Sequence, residues 1–125
     1  MKKELFAAIT ILSLFLSAVY NVFQIKKLSE SVSAHLDLAT QACAVNNFEA
    51  AESELSNALN IWLQADGYTH IFIRHAEIDS ATDAFFEAIP EIKTKSLSSI
   101  SAISKIKYHI DSIYAMEKVT LKSVL

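Results

Sequence analysis

Apolar residues fill one unbroken run and then recur in spaced stripes. The run is Leu5–Ile25 (LFAAITILSLFLSAVYNVFQI), 21 residues without a charge. As a helix rising 1.5 Å per residue it reaches about 32 Å, enough for one bilayer crossing. Thr10, Ser13 and Ser17 can bond back to their own helix, and Asn21 and Gln24 lie near one end, within reach of headgroups. Beyond the run, Leu28, Val32, Leu36, Ala39 and Cys43 recur every three or four residues, so the same helix is expected to continue to about Ala44. Asn46 and Asn47 interrupt it. Asn46 with Glu49 three later has the pattern of a helix start, and Phe48, Ala51, Leu55, Ala58, Leu59 and Trp62 form the next stripe, ending at Asp66-Gly67.

A third stripe is Ile71, His75, Ile78, Thr82, Phe85 and Ile89. Ile89-Pro90 should close it, because the residue before a proline is pushed out of the helical region, and Pro90 should open a connector. The fourth comprises Leu97, Ile100, Ile103 or Ser104, Ile106 or Lys107, Ile110, Ile113 and Tyr114, with its end at Glu117 or Lys118. Ser96, Ser98, Ser99, Ser101 and Ser104 dilute the helix propensity of its first turns. The expectation is an all-α chain: a single transmembrane helix within residues 1–26, basic on both flanks, then an acidic helical domain over 27–125. That domain would be a small four-helix bundle or two antiparallel hairpins. Asn47-Phe48-Glu49-Ala50-Ala51 followed by Leu55, Ala58, Leu59 and Trp62 looks like half of a tetratricopeptide-type hairpin, although small residues such as Ala51 and Ala58 allow close approach in any helical pair.

Composition agrees. One Gly and one Pro in 125 residues argue against an all-β fold, which needs frequent turns, and one Cys rules out an internal disulfide. The apolar run is longer than the core of a cleaved signal peptide, and no Ala-x-Ala follows it, which favours an anchor. Lys2 and Lys3 on one flank and Lys26 and Lys27 on the other nearly cancel the positive-inside bias, leaving a slight preference for the amino terminus inside.

Charge is unevenly divided. Residues 28–91 carry eleven acids and one base, whereas residues 92–125 carry six lysines and two acids, so the middle is about −10 and the tail +4. The acidic middle makes nucleic acid an unsuitable partner, and the basic last helix is expected to lie on acidic earlier ones or to face anionic lipid. Lys93, Lys95, Lys105 and Lys107 form its candidate contact face.

Candidate chemistry centres on His75-Ala-Glu77-Ile-Asp79. His75 and Asp79 are four apart and therefore neighbours on one helical face, where the carboxylate can accept the imidazole hydrogen bond and fix its tautomer. The structural reading is a hydrogen bond that sets the third helix against its neighbours, with Trp62 or Tyr68 nearby. The functional reading is a small metal or acid/base site at His75, Glu77 and Asp79. Further ligands do not converge from His35, His70 or His109, and the chain has no HExxH, no CxxC and no Gly-rich phosphate loop. A non-enzyme without cofactor or resident metal is the expectation. Cys43 falls on the first stripe and reads as a buried small hydrophobe. Trp62, Phe85, Phe86 and Tyr114 read as core.

The order of these features, from a basic start through an anchor, two acidic hairpins, a central Trp and His75-Ala-Glu-Ile-Asp79 to Leu121-Lys-Ser-Val-Leu125, resembles the bacterial domain-of-unknown-function family 4363. The likeness covers nearly the whole chain, and the His-x-Glu-Ile-Asp segment is its most specific part. It implies a short single-pass helical protein whose characteristic His and Asp fall on His75 and Asp79. The chain departs from the pattern at Gly67, Pro90 and Ser123. No activity comes with the resemblance. The function expected is therefore an interaction or scaffold module of the cell envelope, held to the plasma membrane through Leu5–Ile25, with its helical domain outside the cytoplasm and another envelope protein as partner.

Overall fold

The computed structural model describes residues 1–65 and 75–124, without the side chains of His75 and Val124. Four α-helices make up the described fold: α1 (Lys2–Ala44), α2 (Phe48–Gln64), α3 (His75–Lys93) and α4 (Ser99–Val124). The class is all-α. Each helix packs on its two neighbours in a closed ring, α1 on α2, α2 on α3, α3 on α4 and α4 on α1. Polar pairs fix the directions. On α1 and α4, Asn21 meets Glu117, Ser29 meets Asp111 and Asp37 meets Lys107, so residue numbers rise on one helix as they fall on the other. Connectivity through short turns sets α1 against α2 and α3 against α4 in the same antiparallel sense, giving an up-down-up-down bundle.

The core is the sum of the spaced stripes. Val32, Leu36, Ala39 and Cys43 from α1 meet Ala51, Leu55, Ala58 and Trp62 from α2, Ile78, Ala81, Phe85, Ala88 and Ile92 from α3, and Ile103, Ile106, Ile110 and Ile113 from α4. The buried alanines leave room for close helix approach, and Phe85, Leu36 and Leu55 are among the large side chains that fill the core. Packing also reaches back along α1 beyond residue 27, because Ile25 is only 2% exposed and belongs to the same cluster.

Both described turns use the same stop. After α1, Asn46 takes φ 60°, its N–H bonds to the Cys43 carbonyl at 3.0 Å, and the Asn47 N–H bonds to the Ala42 carbonyl at 2.8 Å. After α3, Lys95 takes φ 56°, with its N–H on Ile92 at 3.0 Å and the Ser96 N–H on Glu91 at 3.0 Å. These are Schellman closures with a left-handed residue in the position glycine usually holds.

Several boundaries differ from the sequence expectation. The cap of α2 is Asn47, whose side chain accepts from the Ala50 N–H at 3.2 Å, while Asn46 is occupied in closing α1. α2 ends at Gln64 with Ala65 as its cap, and Asp66-Gly67, like Ile71 of the third stripe, lies outside the described residues. Pro90 does not end α3, which runs on to Lys93. A proline withdraws the hydrogen bond to the carbonyl four residues back, here Phe86, and its ring pushes that carbonyl outward. Both Pro90 and Phe86 are exposed, so water can satisfy that carbonyl. Phe86 and Leu97 are surface residues, not core, and Ile100 is 39% exposed. Ser99, the first residue of α4, ties that helix to the turn before it: its almost wholly buried hydroxyl donates to the Ser96 carbonyl at 2.8 Å and to the Glu91 carbonyl at 3.0 Å. Finally, α4 continues past Lys118 to Val124.

Candidate functional site

The segment singled out by sequence opens α3. His75 is its first residue, and its side chain lies outside the described set, as do Tyr68 and His70, so the His75–Asp79 pairing lies there too. Asp79, one turn on, is exposed. Glu77 is half-buried and holds its Oε2 away from solvent without a hydrogen-bond partner. Among the described residues no group of three or more His, Cys, Asp or Glu side chains converges as a metal site would.

Trp62 sits apart from that solvent face, 3% exposed, with its indole N–H donating to Thr82 Oγ1 at 2.9 Å. This bond ties α2 to α3 and satisfies the one polar atom of a large apolar side chain. Cys43 is buried in the α1 stripe, and burial pushes its thiol above the ordinary 9.0, which disfavours the reactive thiolate.

The lysine face is engaged within the bundle. Lys107 Nζ donates to Asp37 Oδ1 at 2.8 Å, Lys105 Nζ to Glu87 Oε2 at 2.9 Å, and Lys93 lies 3.9 Å from Glu52. The Asp37 hydrogen bond, helped by the charges of Asp37 and Asp111, raises the Lys107 ammonium above its usual range. These pairs join the basic end of the chain to its acidic helices. All are partly solvated, so each contributes on the order of 0 to 1 kcal/mol and together they select register more than they add stability. Lys95 is instead the left-handed stop of α3.

Two contacts were not anticipated from sequence. His35 Nδ1 and Glu54 Oε2 stand 2.7 Å apart across α1 and α2, both half-buried. Each occupies the position beside a core residue, Leu36 and Leu55, and that adjacency is the only trace in the sequence. The second is at the far end, where Asn21 Nδ2 donates to Glu117 Oε2 at 3.3 Å. There Ser17, Ala18, Asn21 and Val22 of α1 and Glu117, Thr120 and Leu121 of α4 line an open cleft.

Before that cleft, among the described residues, α1 projects alone. Leu5, Phe6, Ile9, Ile11, Leu12, Leu14 and Leu16 are all more than half exposed and point in every direction around the helix. Among the described residues α1 is the one helix long and apolar enough to cross a membrane.

A family model described as Domain of unknown function (DUF4363) matches residues 19–124, beginning just where α1 enters the bundle. No curated protein and no solved structure matches.

Proposed function

Since the chain belongs to the DUF4363 family, a domain without an assigned activity, we propose from its architecture that it is a single-pass membrane-anchored interaction module of the bacterial cell envelope. Leu5–Ile25 holds it in the plasma membrane, the bundle stands outside the cytoplasm, and its surface docks another envelope protein. The observation that carries this reading is the bare apolar rod of α1: a soluble helix hides at least one face, and Leu5 to Leu14 hides none. Lys2 and Lys3 before it and Lys26 and Lys27 after it are placed as headgroup flanks of a span.

A non-enzymatic role is supported by how the candidate groups are used. Cys43 and Trp62 are core, and Lys93, Lys105 and Lys107 face carboxylates of neighbouring helices. Two experiments on the full chain test the proposal. Anchoring predicts that the protein stays in the membrane fraction through an alkaline wash and that Leu12→Lys releases it. A bundle outside the cytoplasm predicts that Tyr108→Cys is labelled in intact cells by a membrane-impermeant maleimide. Photo-crosslinking from the bundle surface should then capture a specific envelope partner, and Phe85→Ala, which loosens the core, should abolish the capture. Release of the wild type by the wash would refute the anchor, and absence of any crosslinked partner would refute the docking role.

A further inference from the structure

The core of the bundle ends at Ile25 on α1 and Ile113 on α4, yet α4 continues to Val124. Those eleven further residues add about 16 Å of helix. They run antiparallel beside α1, with Glu117 at Asn21 and Thr120 and Leu121 beside Ser17 and Ala18. A span that starts at Leu5 needs about 20 residues to cross the hydrocarbon layer, which places its outer edge near Gln24. Thr120 and Leu121 therefore stand about 10 Å inside that edge, at the depth that interfacial helices reach.

We infer that the last turns of α4, residues 116–124, are immersed in the outer leaflet of an anionic bilayer beside the anchor, so that the domain rests in the membrane surface rather than above it. The inference rests on the anchoring proposed above. The side chains suit that setting. Val119 is 62% exposed and Met116 is exposed beside it on α4, and Leu16, Tyr20 and Phe23 are exposed at the same depth on α1. Tyr20 is of the amphipathic aromatic class that gathers at bilayer interfaces. Lys118 and Lys122, one helical turn apart and both exposed, have stems long enough to carry their ammonium groups back to lipid phosphates. Lys27 already leans toward the anchor, its Nζ 5.5 Å from the centre of the Phe23 ring. Glu117, the acid at this level, is turned to Asn21 between the two helices. Exposed apolar side chains on both helices at the level of the span, with Lys26, Lys27, Lys118 and Lys122 near its edge, match a leaflet rich in anionic headgroups.

The test uses the full chain in a Cys43→Ser background, with a fluorophore on Val119→Cys, on Ile11→Cys within the anchor, or on Tyr108→Cys out on the bundle. Each is reconstituted in phosphatidylcholine vesicles with or without phosphatidylglycerol. Nitroxide-bearing lipid should quench Val119 and Ile11 but not Tyr108, and phosphatidylglycerol should strengthen the quenching at Val119. The Lys118→Glu/Lys122→Glu variant should lose at least half of it. If aqueous iodide reaches Val119 as readily as Tyr108 while Ile11 stays lipid-quenched, the immersion is wrong and the anchor stands. Iodide quenching of Ile11 as well would overturn both. A disulfide between Val119→Cys residues of two chains would show that a second copy, not lipid, covers this face.

Discussion

The indole N–H of Trp62 donates to Thr82 Oγ1 at 2.9 Å across the α2–α3 interface, while the ring itself is buried among the core side chains. A buried N–H that loses its acceptor costs about 1 to 3 kcal/mol. Thr82→Val keeps the side-chain shape and removes the acceptor, so it should destabilise the fold by about that amount, whereas Thr82→Ser should cost less. Urea unfolding of the full chain in micelles reads this directly, since the chain has one tryptophan and its emission reports this interface.

Core and surface phenylalanines stand side by side on α3. Phe85 is fully buried and Phe86 more than half exposed. Phe85→Ala should cost about 3 to 5 kcal/mol by opening a cavity. Phe86→Ala and Leu97→Ala should stay within about 0.5 kcal/mol of wild type. Equal losses at positions 85 and 86 would mean that α3 is rotated from the orientation described.

Lys95 holds φ 56° at the end of α3 without being a glycine. A side chain in the left-handed region costs about 1 kcal/mol, part of which Gly recovers despite its freer unfolded chain. Lys95→Gly should raise the unfolding midpoint by an amount equivalent to about 0.5 kcal/mol. Lys95→Val, β-branched in the same place, should lower it.

Acid sensitivity should trace partly to the turn before α4. Hydrogen bonds from Ser98 and then Ser96 hold the Glu91 carboxyl below its ordinary 4.5. A carboxyl lowered in the folded state adds stability that is complete above its unfolded pKa and is lost as pH falls through the folded value. Wild type and Ser98→Ala should therefore differ near neutral pH and converge as pH drops below about 4.5. Lys107 has the opposite sign: its contribution is present below its ordinary 10.5 and fades only as pH rises beyond it. Asp37→Asn should thus lower stability at neutral pH and have less effect at strongly alkaline pH.

Much of this architecture is written in the spacing of apolar residues, because a core stripe needs only a helical period and a buried side chain. Val32, Leu36 and Ala39 on α1 and Ile103, Ile106 and Ile110 on α4 are legible for that reason. Helix ends were less legible. Pro90 reads as a stop, yet an exposed carbonyl can tolerate its missing donor, and the real stop is a lysine that local spacing does not mark. The polar links are harder still. His35–Glu54 and Asn21–Glu117 join residues 19 and 96 positions apart, and they follow from the antiparallel register that only the packed helices define. The continuation of α4 beside the apolar run follows from that same register.

Backbone hydrogen exchange of the full chain in lipid nanodiscs tests most directly whether α1 is one helix running from bilayer to core. Amides of Leu5–Leu16 should exchange as slowly as those of Ser29–Cys43, with unbroken protection through Lys26 and Lys27. Fast exchange over Leu5–Leu16, or a fast-exchanging break at Lys26–Lys27, would contradict it.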